Sequence, residues 1–167
     1  MCPTNHVAPV TRFTLINDEP SFYFPSVHVL VVDDLAAMRR VVGSLLREEL
    51  QQAKISEAAD GAAALQLLKS TEADGVSIDL VVTDCNMPNM DGITLLRTIR
   101  ETPQLQHLPV LMVTAEANKD VILAAARAGA DGYIVKPFNA ATLRIKLDQI
   151  LNKKGGRHQV NAVAVNA

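Results

Sequence analysis

Apolar residues recur along this chain in two alternating rhythms. Residues 27–32 (VHVLVV) form a short β-branched run, the composition of a strand. Apolar residues then fall at Leu35, Met38, Val41, Val42, Leu45, Leu46 and Leu50, at spacings of 3, 3, 1, 3, 1 and 4. Those spacings draw one stripe on an amphipathic helix. The pair then repeats. Residues 54–59 predict a weaker second strand and 62–70 a second helix; 78–83 (IDLVVT) predict a third strand and 91–100 a third helix. Residues 109–114 (PVLMVT) predict a fourth strand, followed by an alanine-rich helix near 117–128. A fifth strand is expected at 132–136 (GYIVK), and a last helix near 139–152 carries Leu143, Leu147, Ile150 and Leu151 on one face. Five strand–helix pairs in strict alternation imply parallel strands joined by right-handed crossovers. The first, third and fourth strands are apolar without a break, as expected where helices cover both faces of a sheet. The expected fold is α/β: a doubly wound, five-stranded parallel sheet with helices on both faces.

The ends of the chain do not share this rhythm. Residues 1–26 hold four of the eight prolines and four of the six aromatic residues (Phe13, Phe22, Tyr23 and Phe24). Proline at that density removes backbone donors and breaks helices, so an irregular N-terminal extension is expected. Its aromatic cluster either remains in solvent or docks on an apolar surface. The domain proper is placed at 27–154, and residues 155–167, opening with Gly155-Gly156, are expected to be a disordered tail.

Composition narrows the possible partners. Sixteen Lys plus Arg against eighteen Asp plus Glu give a net charge of −2, without the basic excess of a DNA binder. No apolar run reaches the ~20 residues that cross a bilayer, and the N-terminus lacks a secretory signal pattern. Cys2 and Cys85, the two cysteines, make neither a disulfide framework nor a zinc site. His6, His28, His107 and His158 are scattered and suggest no metal role. A reduced, cytoplasmic, single-domain monomer is expected.

In a doubly wound sheet, ligands bind beyond the carboxyl ends of the strands. There the chain places Asp33-Asp34 after the first strand, Asp84 after the third, Thr114 at the end of the fourth and Lys136-Pro137 after the fifth. A lone aspartate at such a position is ordinarily the cap of the next helix. Three carboxylates, a hydroxyl and an ammonium on one edge are harder to explain as caps. Two carboxylates ~4 Å apart repel by about 4 kcal/mol at an effective dielectric of ~20, so three require raised pKa values or a cation. An oxygen-only donor set suits a hard ion such as Mg²⁺. A carboxylate beside Mg²⁺ and lysine can attack phosphorus to give an aspartyl phosphate, with Thr114 and Lys136 contacting the transferred phosphoryl oxygens.

The segments VVDD (31–34), TDCNMPNMDG (83–92), PVLMVTAEA (109–117) and GYIVKPF (132–138) resemble the receiver domain of bacterial two-component response regulators. The likeness spans roughly 27–153, with a few extra residues in the 70–79 loop. It extends to MRRVV (38–42) and AATL (140–143) in the chemotaxis branch of that family, the CheY-type regulators. The resemblance implies the flavodoxin-like strand order 2-1-3-4-5, for which these regulators are themselves a standard example. It also implies Asp84 as phosphoacceptor and Mg²⁺ held by Asp33 (through a water), Asp34, Asp84 and the Asn86 carbonyl. Thr114 and Lys136 would bind the phosphoryl group, and Thr114 and Tyr133 would form the switch. Asn86 and Glu116 would tune self-dephosphorylation, and Lys136-Pro137 would be a cis peptide. Cys85, where CheY-type regulators carry tryptophan, is read as a plain loop residue.

The implied protein is a signalling phosphoacceptor that catalyses its own phosphorylation and dephosphorylation. Its partners would be a chemotaxis-type histidine kinase, the flagellar motor switch protein and a phosphatase. The motor would bind a face including Ala117, Ile122, Tyr133, Val135 and Lys146. Arg144 and Ile145 stand there in place of two acids, so a phosphorelay shuttle or a non-flagellar regulator stays open. A transcription factor is disfavoured, because 11 residues after Gly156 cannot hold an output domain. A haloacid-dehalogenase-type phosphatase needs a second acid two residues after its nucleophile, where this chain has Asn86. A flavin-binding flavodoxin needs a phosphate loop after the first strand, which is missing.

Overall fold

The computed structural model describes residues 26–158. The Phe22-Tyr23-Phe24 cluster and the last nine residues of the chain lie outside the described residues. Five strands alternate with five helices: β1 (His28–Val32), α1 (Ala36–Glu49), β2 (Lys54–Ala58), α2 (Gly61–Ala73), β3 (Leu80–Thr83), α3 (Gly92–Glu101), β4 (Val110–Thr114), α4 (Lys119–Arg127), β5 (Gly132–Val135) and α5 (Ala140–His158). All pairings are parallel, in the order β2-β1-β3-β4-β5.

The unbroken apolar strands are explained by two cores, one on each face of the sheet. Because side chains alternate along a strand, Val29 and Val31 of β1 face Val42, Leu46, Leu143 and Leu147 of α1 and α5. Leu30 and Val32 face the other way, onto Leu65, Leu68, Leu95, Leu96 and Ile99 of α2 and α3. β3 and β4 divide in the same manner: Val82 and Leu111 join the first core, Val81 and Met112 the second.

Several boundaries differ from the pattern-based reading. β3 starts at Leu80 because the ladder is interrupted before it: the Asp79 N–H still donates to the His28 carbonyl at 2.8 Å, but the His28 N–H donates to the Asp79 carboxylate at 2.9 Å in place of a backbone carbonyl. α4 starts only at Lys119, where the Asn118 side chain accepts from the Asp120 N–H at 2.8 Å and caps it. α5 runs through Gly155-Gly156 to His158, past the expected start of the tail. Glycine costs about 1 kcal/mol in a helix relative to alanine, yet keeps both backbone hydrogen-bonding groups, so the helix is not forced to end there.

Candidate phosphoacceptor site

The parallel ladder continues one step beyond the ends of β1 and β3. The Asp33 N–H donates to the Ala58 carbonyl at 3.2 Å, and the Asp84 N–H donates to the Val32 carbonyl at 2.9 Å. These bonds set Asp33 and Asp84 side by side at the carboxyl edge of the sheet. On the other side, the Lys136 N–H donates to the Thr114 carbonyl at 2.8 Å, which holds the lysine at the end of β4. Oxygens of Asp33, Asp34 and Asp84 come within 4.8 Å of one another, with Asp33 buried, Asp84 half-buried and Asp34 exposed.

None of the three is a helix cap. α1 begins after Leu35 with no side-chain cap, and α3 is capped by Asp91, whose carboxylate accepts from the Thr94 N–H at 2.7 Å. The ordinary use of a strand-end aspartate is therefore not the one found here. Asp33 spends one oxygen on the Leu35 N–H (2.9 Å) and the other on the Lys136 ammonium (2.7 Å). The same ammonium stands 3.5 Å from an Asp84 oxygen, and the second Asp84 oxygen accepts from the Cys85 N–H at 2.7 Å. Three carboxylates and one ammonium leave a formal charge of −2, which a divalent cation would bring to zero. The oxygen-only donor set fits such a hard cation.

The remaining expected residues lie on β4, β5, α4, α5 and the loops after β3 and β4. Thr114 is buried, and its hydroxyl accepts from the Glu116 N–H at 3.2 Å. The Tyr133 hydroxyl donates to the Glu116 carbonyl at 2.7 Å, so Glu116 links the threonine to the tyrosine. Burial and the neighbouring Cys85 push the Tyr133 phenol well above its usual range, leaving a neutral donor. Asn86 is exposed in the loop after β3, and Lys136-Pro137 is cis. Ala117 precedes α4, Ile122 lies on α4, Val135 on β5 and Lys146 on α5; Ala117 and Val135 are exposed, Ile122 and Lys146 half-buried.

Three contributors carry no site role in the sequence reading. A Cβ on Gly92 would collide with the Asp84 carbonyl oxygen, and the Gly92 N–H donates to the Cys85 carbonyl at 2.9 Å, so the glycine lets α3 close against the acceptor strand. Its place in TDCNMPNMDG was the available signal. Arg39, inside MRRVV, donates to the Asp33 carbonyl at 2.7 Å while pairing with Glu57 at 3.0 Å, and braces the backbone of the acid pair. Cys85 is more than a loop residue. It is 3% exposed, and its thiol, whose pKa burial raises, reaches the Tyr133 hydroxyl at 3.9 Å. Packing of this kind has no sequence signature.

The comparisons with known proteins agree with this geometry. The response regulator receiver domain family matches residues 29–148. This chain belongs to that family. The chemotaxis protein CheY-3 of Vibrio cholerae is 52% identical over 128 residues, covering 77% of this chain and 94% of the relative. The chemotaxis protein CheY of Pseudomonas aeruginosa is 48% identical over 128 residues, covering 77% and 98%. Among solved structures, V. cholerae CheY4 superposes with a TM-score of 0.65 at 32% identity, covering 75% of this chain and 99% of the other. A Borrelia burgdorferi CheY, solved as a complex of CheX, CheY, BeF₃ and Mg²⁺, gives 0.66 at 29% identity, covering 75% and 89%. The chain is thus a CheY-like receiver domain, a signalling protein of two-component systems. Among the described residues no helix is long and apolar enough to cross a membrane.

Proposed function

We propose that this receiver acts as a cytoplasmic response regulator in which Asp84 accepts a phosphoryl group from a kinase phosphohistidine, in chemotaxis control of the flagellar motor. The observation that carries the reading is the convergence of Asp33, Asp34 and Asp84 within 4.8 Å, with Lys136 reaching two of them. Asp33, Asp34, Asp84 and the Asn86 carbonyl would hold Mg²⁺. When bound, Mg²⁺ supplies charge neutralisation and a template for the phosphoryl oxygens.

The residues divide the work. An Asp84 carboxylate oxygen attacks phosphorus as the P–N bond to the donor imidazole breaks. The bonding pair stays on the imidazole nitrogen, which takes up a proton, and an acyl phosphate remains on Asp84. The Cys85 N–H fixes one Asp84 oxygen and leaves the other toward the ammonium. Lys136 can follow the negative charge from Asp33 to the phosphoryl oxygens. Thr114 can exchange its bond with the Glu116 N–H for one to phosphate; Glu116 also holds the Tyr133 hydroxyl, so that exchange gives the switch a route to the β5 surface. Water attack on the acyl phosphate, at a rate tuned by Asn86 and Glu116, returns Asp84 and inorganic phosphate. The output surface would be the α4–β5–α5 face with Ala117, Ile122, Tyr133, Val135 and Lys146, where α4 and α5 also expose Leu123 and Ile145. A motor switch protein and a phosphatase would bind there or beside the site.

Acetyl phosphate with Mg²⁺ should label the protein at one site, in a hydroxylamine-sensitive bond. Asp84→Asn keeps the shape and should abolish the label. Stoichiometric labelling of that variant would place the chemistry elsewhere.

A further inference from the structure

At the amino edge of the sheet, far from the carboxylates, a cavity of about 440 Å³ opens between the end of α2, the loop leading to β3 and the turn before β4. Its size falls in the usual range of about 300–1,000 Å³ for binding pockets. Leu68, Thr71, Val76, Ile78, Leu105 and Leu108 line it, and Val76 at its mouth is 37% exposed.

We propose that this cavity seats the chain's own Phe22-Tyr23-Phe24 segment. Position is the first argument. The Asp79 N–H donates to the His28 carbonyl at 2.8 Å and the Asp79 carboxylate accepts from the His28 N–H at 2.9 Å, so β1 begins against the segment that carries Ile78 of the cavity wall. The chain outside the described residues therefore joins the domain beside the cavity.

Composition is the second argument. Tyr133 and Phe138 are the only aromatic residues after position 24, so the core has spent none of its own on this cavity. An aromatic ring buries about 150–250 Å² and rarely remains in water as part of a cluster. Phe24 lies four residues before His28, within about 13 Å of extended chain. The tethered segment is present at far higher effective concentration than any partner in trans.

The full-length chain tests this by a mutant cycle and by magnetic resonance. Phe22→Ala with Phe24→Ala should lower Tm by about 4 °C, a shift readable in a chain of this size. Val76→Glu, at the exposed mouth, should fold and lower Tm by a similar amount. Combining all three should lower it no further than either alone, because both changes remove the same contact. Nuclear Overhauser contacts from the Phe22 and Phe24 rings should reach methyls of Leu68, Leu105 and Leu108. In mixtures of labelled and unlabelled chains those contacts should stay within one molecule. Additive Tm losses, contacts to any other face, or no contacts would overturn the proposal. Contacts between two chains would overturn it in favour of a second copy as the occupant.

Discussion

Replacing Lys136 with methionine removes the one ammonium within the acid cluster while keeping most of its aliphatic bulk. Its Nζ lies 2.7 Å from Asp33 and 3.5 Å from Asp84. At an effective dielectric of ~20 the shorter contact is worth about 6 kcal/mol gross, and desolvation of both groups offsets much of it. The Lys136 and Asp33 side chains are 15% and 5% exposed, so removing one leaves a buried charge beside two other acids. Breaking such a pair costs about 3–5 kcal/mol. Asp33 keeps its bond from the Leu35 N–H at 2.9 Å, which favours the lower end. A loss near 3 kcal/mol is expected in urea melts with EDTA at neutral pH. With m between about 1 and 3 kcal/mol/M, the midpoint falls by about 1–3 M at unchanged m. Adding Mg²⁺ should stabilise the variant more than the parent, since it relieves the larger repulsion. At 100 times its Kd a ligand contributes about 2.7 kcal/mol. A variant that melts within about 0.5 kcal/mol of the parent in EDTA would refute the claim that the lysine offsets the acids. Equal stabilisation of both proteins by Mg²⁺ would refute the claim that the metal relieves the same repulsion.

Gly92→Ala should destabilise at the upper end of the 1–3 kcal/mol seen for overpacking, because the new Cβ meets the Asp84 backbone rather than a flexible side chain; a urea melt like the parent's would show that α3 can retreat freely. His28 is buried against Ser56 and beside Lys54, and burial first, then the lysine, holds its pKa below the ordinary 6.5. The unfolded chain therefore binds this proton more readily, so His28's contribution is complete above about 6.5 and is lost as pH falls below it. His28→Gln should flatten the stability profile from about pH 6.5 downward, and an unchanged slope in melts across that window would exclude His28 as its source. Thr114→Ala should leave acetyl-phosphate labelling of Asp84 largely intact but weaken the phosphorylation-dependent gain in binding to the motor switch protein, measured by titration with and without beryllofluoride; an undiminished gain would remove Thr114 from the switch.

Periodicity made the order and type of all ten elements legible, because β1, β3 and β4 are single apolar runs and the helices between them show stripes, while the more polar β2 (KISEA) gave the weakest signal. The convergence of Asp33, Asp34, Asp84, Thr114 and Lys136 was legible for a topological reason: in a parallel sheet every strand delivers its last residue to the same edge. Less legible was whatever depends on contact across the fold. The late start of β3 comes from the pairing of Asp79 with His28, two residues far apart in the chain. The Cys85–Tyr133 contact arises because both side chains lie on the α2–α3 side of the sheet, and the Arg39 brace because α1 folds back over β2. Such effects are pairwise and leave no trace in the pattern of either partner alone.

The direction of the final helix has a practical consequence. Ile150, late in α5, packs against Gly132 at the start of β5, so α5 runs back toward the amino edge of the sheet. β1 also starts at that edge. Both routes out of the domain thus leave from the side opposite the carboxylates. A fluorescent protein, an affinity tag or a second domain joined directly before β1 or after α5 would start below the sheet and leave the acceptor edge open. The architecture is that of a plug whose leads all emerge from the back, and a fusion that did block acetyl-phosphate labelling would do so by reaching around the domain rather than by its point of attachment.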